Sequence, residues 1–190
     1  MKTYLKFLII TILISGQFCS CSKNEETKPS PKERPDIYVR DLNNGEITSG
    51  QPTGIAKPIY FNLGSQQTVA AGSDWDIAFG GIANTVISSN SKSGTWMKVL
   101  NVDYASIHSK PSISYDESES GNIASYENGW YIYNVRTHVV EPIRGKTFFI
   151  QTAKGKHYKL KMISIYKDAP EYPTSMDKAT FLTFQYCALD

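Results

Sequence analysis

Apolar and polar residues alternate along most of this chain, and that period of two is the strongest constraint on its fold. Within residues 74–79, Trp75, Ile77 and Phe79 lie on one face of an extended segment, with Asp74 and Asp76 opposite. We therefore expect Trp75 to be buried and both carboxylates to be solvated. No window of a dozen residues has the spacing of an amphipathic helix. The sequence predicts an all-β fold, a single compact domain of antiparallel strands.

A hairpin is predicted near the C-terminus, where residues 146–152 and 157–166 flank a short turn. Gly155 lies in that turn and can take the left-handed conformation that tight hairpins require. In the second arm Lys159 and Lys161 are expected to face water, because they alternate with apolar residues. The apolar residues of this arm, which we expect to face the core, are Tyr158, Leu160 and Met162.

The N-terminal residues have the pattern of a secretory signal. Lys2 and Lys6 precede an apolar run that is shorter than the roughly 20 residues needed to cross a bilayer. The small residue Ser20 comes directly before Cys21, as in the lipobox of bacterial lipoproteins. We expect residues 1–20 to be a signal peptide and Cys21 to be lipidated. The alternative is plain secretory cleavage beside an incidental cysteine.

Residues 21–35 follow the predicted cleavage point and contain Pro29, Pro31 and Pro35 but no large apolar side chain. Such a segment cannot offset its ordering entropy by burial, so we expect a disordered, extended tether. The β domain is expected to occupy residues 36–190. Its position behind a tether predicts a protein held at a membrane through its lipid.

Charge and cysteine content exclude several classes of protein. The chain has 20 basic and 18 acidic residues, and removal of Lys2 and Lys6 with the signal peptide leaves them balanced. A balanced chain lacks the basic face that nucleic acid requires. Cys187 is left as the lone free cysteine, which excludes a disulfide framework and favours a buried structural thiol. No nucleophile elbow, phosphate loop or His-Glu-x-x-His sequence occurs, so we do not expect an enzyme.

Four segments, in order and spacing, resemble the HmuY family of Bacteroidetes haem-binding lipoproteins. Residues 74–79 resemble the family's Trp-Asp-Ile-Ala-Phe strand, and residues 129–134, which lead to His138, resemble its central aromatic strand. Residues 146–156 resemble its hairpin, and residues 180–186 its aromatic final strand. Order and spacing agree over about residues 59–189, so the resemblance covers most of the predicted domain.

The resemblance implies a hand-shaped β fold with a pocket between its strands. It also implies a hemophore-like role in iron acquisition, in which haem or a related porphyrin is held at the cell surface and passed to a TonB-dependent outer-membrane receptor. Residues 23–26, Lys-Asn-Glu-Glu, resemble the acidic export tags of surface lipoproteins in Bacteroidetes. An outer-membrane lipoprotein exposed at the cell surface is therefore expected.

Haem requires one or two axial ligands in an apolar slot, with polar groups for its propionates. His138 follows the aromatic strand and is the first ligand candidate, His108 lies in a second loop, and Met97 lies in a strand where it could instead be core. Tyr131 and Tyr133 share a strand face and could stack on a porphyrin or fill the core. Residues 112–128, where the family places one histidine ligand, contain neither histidine nor methionine. Their composition favours the alternative, a surface β module that binds a protein or glycan without haem.

Membrane attachment is predicted to depend on Cys21. A Cys21→Ala variant removes the only sulfur in the lipobox position, so it should lose its acyl mass and leave the membrane fraction. Mass spectrometry and membrane fractionation of both forms check this outcome. Equal partitioning of the variant and the parent would contradict the lipoprotein interpretation.

Overall fold

Strands make up nearly all of the regular structure, which confirms the all-β prediction. The structure, a computed structural model, describes residues 34–44, 54–113, 122–123 and 129–189. Two single-turn 3-10 helices, η1 (Ser91–Ser93) and η2 (Tyr104–Ser106), occur in these residues. The strands are β1 (Ile37–Leu42), β2 (Ile59–Asn62), β3 (Gln67–Val69), β4 (Ile77–Gly80), β5 (Val86–Ser89), β6 (Trp96–Leu100), β7 (Asn122–Ile123), β8 (Tyr131–Asn134), β9 (Val139–Pro142), β10 (Thr147–Gln151), β11 (His157–Tyr166) and β12 (Ala179–Leu189).

The strands form two larger sheets and one separate hairpin, and every pairing is antiparallel. The first sheet has the order β1-β12-β11-β10-β6, and the second has the order β3-β2-β4-β5-β7. Strands β8 and β9 pair only with each other among the described residues. The first sheet places the two longest strands, β11 and β12, side by side at its centre.

The predicted hairpin is formed by β10 and β11, with Phe148 opposite Leu160 and Gln151 opposite His157. In its turn the Gly155 N–H donates to the Thr152 carbonyl oxygen at 2.8 Å. Gly155 has a φ of 73°, the left-handed conformation that the sequence predicts for this turn.

The core lies between the two sheets and is closed by aromatic contacts. Phe184 of β12 lies 5.5 Å from the ring of Phe61 and 5.2 Å from the ring of Phe79, measured between ring centroids. Phe61 also meets Tyr186 edge to face. The inward direction predicted for β11 is confirmed by the burial of three residues, Tyr158, Leu160 and Met162.

The prediction for Trp75 and Asp76 is wrong, because β4 begins only at Ile77 and the alternation does not extend to the residues before it. Trp75 is half-buried and packs against Tyr60 at 5.1 Å between ring centroids. Asp76 is only 7 % exposed, and its carboxylate accepts a 2.8 Å hydrogen bond from the Leu63 N–H. Burial raises the pKa of Asp76 above its ordinary value of 3.8.

The prediction that Lys159 faces water is also wrong. The outer face of β11 is covered by the segment around η2, and Lys159 is 3 % exposed. Its ammonium group donates to the carbonyl oxygens of Tyr104, at 3.1 Å, and Ile107, at 2.7 Å. It also lies 4.3 Å from the centre of the Tyr104 ring. These contacts satisfy the buried charge and fasten η2 to the sheet.

Several predictions concern residues on the N-terminal side of the fold. The signal peptide, Cys21 and nearly all of the tether at 21–35 lie outside the described residues, so these remain predictions.

The predicted buried thiol is confirmed, since Cys187 is 3 % exposed and donates to the Arg34 carbonyl oxygen. In the part of the chain that the structure describes, no helix is long and apolar enough to cross a membrane.

Core stability is predicted to depend on Phe184 far more than on Trp75. Phe184→Ala removes a fully buried ring from the contact between the sheets, so it should cost about 3–5 kcal/mol of unfolding free energy. Trp75→Ala removes a half-buried ring and should cost less. Urea denaturation of both variants measures the difference. Equal losses would contradict the placement of Trp75 outside the core.

The buried Asp76 carboxyl predicts a pH-dependent stability difference. A raised native pKa means that the folded state binds this proton more tightly than the unfolded state does. The stabilisation from protonated Asp76 is therefore fully present below pH 3.8 and is lost as pH rises through the native pKa. Asp76→Asn has no titrating carboxyl at this position. The free energy of unfolding of the parent, relative to that of the variant, should therefore fall as pH rises from 3.8 through the native pKa of Asp76. Thermal melts of both proteins at several pH values measure this difference. A difference in melting temperature between parent and variant that stays the same at every pH would contradict the raised pKa of Asp76.

Candidate functional site

The β8–β9 hairpin carries His138 and is fixed between the two larger sheets. Trp130, immediately before β8, is fully buried and donates its indole N–H to the Thr85 carbonyl oxygen at 2.8 Å. On the other arm the Val140 N–H donates to the Tyr166 hydroxyl at 2.8 Å. Thr85 precedes β5 of one sheet, and Tyr166 ends β11 of the other. Both arms of the hairpin are thus held by buried hydrogen bonds.

The turn of this hairpin brings Tyr133 and His138 together. The Tyr133 hydroxyl lies 2.7 Å from Nδ1 of His138, and both side chains are half-buried. The His138 N–H donates to the Asn134 carbonyl oxygen at 2.7 Å, and its φ is 56°. Seven other non-glycine residues among those described have a positive φ, so this backbone conformation alone does not mark a site.

Tyr131 and Tyr133 lie on one strand face, as the sequence predicts, but their hydroxyls have different partners. The Tyr131 hydroxyl is 3.2 Å from Oγ1 of Thr85, and its ring meets Trp130 edge to face. Tyr131 therefore fastens the hairpin to the second sheet, whereas Tyr133 orients the imidazole of His138.

The Tyr133 hydrogen bond decides which histidine nitrogen can serve as a ligand. The bond uses Nδ1, and Nε2 makes no hydrogen bond to any described residue. Imidazole ligands in proteins commonly have the nitrogen away from the metal held in this way, which fixes the ring orientation. In the described ranges no group of three or more His, Cys, Asp or Glu residues could hold a bare metal ion. A single imidazole held in this way could supply one ligand to a metal that other groups already hold.

The other two ligand candidates have surroundings that differ from those of His138. Met97 is 1 % exposed and belongs to the core between the sheets. His108 is exposed and follows η2, which packs on Lys159, whereas the His138 hairpin packs on Tyr166. The loop that carries His108 and the hairpin that carries His138 thus contact different residues of β11.

A cationic cleft of about 450 Å³ lies beside the end of β9, between η2 and β11. Three basic side chains, Arg144, Lys146 and Lys161, line it together with a single carboxylate, Asp103. Its charge suits an anionic group. The sequence gives little signal for this site, because its basic residues come from a loop and from a strand whose lysines were expected to face open water.

A second cleft, of about 540 Å³, lies at the opposite end of β11 and has Asp76 on its wall. Asp74 and Asp76 could formally suggest paired carboxylates for acid–base chemistry. Asp74, however, is half-exposed and forms a salt bridge with Lys154 at 2.5 Å, whereas Asp76 is buried and held by a backbone N–H. The two carboxylates therefore have separate partners.

Comparison with known proteins gives structural likenesses only. No family model and no curated protein matches the sequence. The fold is similar to that of the apo HmuY analog of Tannerella forsythia, with 14 % identity, a TM-score of 0.48, and coverage of 84 % of this chain and 100 % of that one. It is similar to a protein from Bacteroides vulgatus classed as HmuY-like and heme-binding, with 13 % identity, a TM-score of 0.46, and coverage of 82 % and 91 %. Apo PinO from Porphyromonas gingivitis shows 17 % identity, a TM-score of 0.46, and coverage of 82 % and 98 %.

Proposed function

We propose that this chain is a surface lipoprotein, anchored through Cys21, that binds haem and delivers it to a TonB-dependent outer-membrane receptor. The observation that carries the haem assignment is the Tyr133–His138 pair. It presents an imidazole whose Nδ1 is 2.7 Å from the phenol oxygen and whose Nε2 is left for iron. The anchor and the receptor are supported by the lipobox and by the sequence resemblance.

The proposed ligand is Nε2 of His138, and Tyr133 is a positioning residue. For Nε2 to offer its lone pair, Nδ1 carries the proton, and the Tyr133 oxygen accepts a hydrogen bond from this Nδ1–H. Trp130 and Tyr166 hold the arms of the hairpin to the two sheets, so the imidazole is carried by a rigid support. A rigid support reduces the ordering cost of binding.

The cationic cleft supports the same proposal through charge. Haem carries two propionate groups that are anionic at neutral pH, and an anionic group is favoured where basic side chains outnumber acidic ones. Arg144 and Lys161 line such a cleft. The cleft lies at the Pro142 end of β9, and the other end of β9 begins next to His138. Arg144 also offers the planar guanidinium that binds carboxylates through two parallel hydrogen bonds.

Haem binding is predicted to require the hydroxyl of Tyr133 as well as the imidazole of His138. Addition of micromolar haem to the full chain in detergent should give a saturable, red-shifted Soret band. His138→Ala should weaken binding and change the ligand-field bands. Tyr133→Phe keeps the packed ring and removes only the hydrogen bond to Nδ1, so affinity should fall by about tenfold or more.

Tyr131→Phe is the matched control, because it removes a hydroxyl from the same strand face without touching His138. Its haem affinity should fall much less than that of Tyr133→Phe, because the Trp130 and Val140 hydrogen bonds still hold the hairpin to the two sheets. His108→Ala should also leave the spectrum unchanged, since His108 lies near the other end of β11. A parent chain that shows no saturable spectral change with ferric or ferrous haem would refute the proposal.

A further inference from the structure

The outer face of the first sheet carries an exposed tyrosine beside basic side chains. Tyr38 of β1 lies opposite Gln185 of β12, and Gln185 lies opposite Lys161 of β11. Directly opposed residues of a sheet point to the same face, so these three side chains form a row across three strands. Arg40 lies two residues after Tyr38 on β1 and is also exposed. Tyr38, Arg40 and Lys161 together are called the outer basic patch.

This patch faces away from the core. Ile37 and Val39, which alternate with Tyr38 along β1, pack against the core between the sheets. Tyr38 itself is 59 % exposed, although it is a large aromatic residue. A tyrosine ring combines an apolar body with a polar tip, which suits the boundary between a membrane and water.

Asp36 fixes the end of the predicted tether beside the patch. One oxygen of its carboxylate accepts from the Tyr104 hydroxyl and the other from Nε2 of Gln185, both at 2.5 Å. Two residues earlier, the Arg34 carbonyl oxygen accepts from the Cys187 thiol. Gln185 is the middle member of the row across the sheet. The point at which the tether joins the domain is therefore next to the patch.

The proposed anchor keeps the patch within reach of a membrane. Residues 21–36 can span at most roughly 50 Å when they are fully extended. The lipid on Cys21 thus holds this side of the domain close to many headgroups, and their high local concentration makes weak contacts effective. A lipid together with a group of basic residues is a combination that holds proteins stably on membranes.

The charges beside the patch favour an anionic surface. Lys161 also lines the cationic cleft, which adds Arg144 and Lys146 next to the patch. Asp36 offsets one of these positive charges, but two donors of the fold already engage its carboxylate. Lysine and arginine side chains near an anionic membrane are attracted to its headgroups over about one Debye length.

We propose that the outer basic patch docks on the anionic headgroups of the membrane that holds the Cys21 lipid. This inference rests on the proposed anchor and does not depend on haem binding. Arg40 and Lys161 attract headgroup phosphates, and the ring of Tyr38 lies at the level of the headgroups.

Docking through this face leaves the β8–β9 hairpin uncovered. Trp130 and Val140, one on each arm of the hairpin, belong to the core, which lies on the other side of the first sheet. A domain that contacts the membrane through the outer face of this sheet therefore keeps the hairpin turned away from the headgroups.

Hydroxyl-radical footprinting of the lipidated chain in vesicles tests the proposal, with oxidation of Tyr38 as the readout. One set of vesicles contains phosphatidylcholine alone, and the other contains equal parts of phosphatidylcholine and phosphatidylglycerol. Tyr38 should be oxidised several-fold more slowly on the anionic vesicles. Tyr172 is the internal control, since it is 80 % exposed between β11 and β12 and lies outside the patch. Its oxidation should be equal on both kinds of vesicle.

Salt and charge reversal test the electrostatic part of the proposal. Salt at about 1 M shortens the Debye length to about 3 Å and should abolish the protection of Tyr38 in the parent, without any substitution. Arg40→Glu should raise Tyr38 oxidation on anionic vesicles to its level on neutral ones, and Lys161→Ala should raise it in part. Lys92→Glu is the matched control, because Lys92 is exposed in η1 beside β6, at the other edge of the sheet. It should leave Tyr38 protected.

Three results would overturn the proposal. They are equal oxidation of Tyr38 on the two kinds of vesicle, equal protection of Tyr172 and Tyr38, and protection that survives Arg40→Glu and Lys161→Ala together. Recovery with neutral vesicles depends on the lipid alone, so a chain that does not float with them refutes the anchor and the docking together. An anchored chain whose Tyr38 stays unprotected refutes the docking and leaves the anchor intact.

Discussion

The contact of Phe184 with Phe61 and Phe79 is the interaction on which the rest of the structure depends. It joins β12 to β2 and β4, and so joins the two sheets. β12 pairs along its length with β11, and β11 ends at Tyr166, whose hydroxyl holds the β8–β9 hairpin. The opposite sheet supplies the second attachment of that hairpin, at Thr85. The position of His138 therefore follows from how the sheets pack.

The two ends of β11 have different chemistry, although one strand supports both. At the Tyr166 end, Tyr133 contacts the imidazole of His138, and a nearby cleft carries basic side chains. At the Tyr158 end, the buried carboxylate of Asp76 lies on the wall of a cleft whose charged side chains are two acids and two bases. Between them Lys159 fastens η2 to the outer face of the sheet through two carbonyl oxygens.

Local pattern predicts the strands well and the exposure of polar residues poorly. The β10–β11 hairpin, its glycine turn and the inward face of β11 follow from alternation within one segment. Burial of Lys159 depends on a distant loop that covers the sheet, and burial of Asp76 depends on the N–H of Leu63 in another strand connection. Neither partner is visible in the local pattern. Tyr133 and His138 lie within a single hairpin, and the sequence predicts both as candidate haem-binding residues. The hydrogen bond between them depends on the conformation of the turn, which the sequence pattern does not predict.

The most direct test of the central claim is pulsed electron paramagnetic resonance on the ferric haem complex of protein labelled with ¹⁵N-histidine. Coordination by His138 predicts a strong hyperfine coupling to one axial ¹⁵N nucleus. This coupling should be present in the parent and in His108→Ala and absent in His138→Ala. Absence of any axial ¹⁵N coupling in the parent, or its persistence in His138→Ala, would contradict the assignment of Nε2 of His138 as the iron ligand.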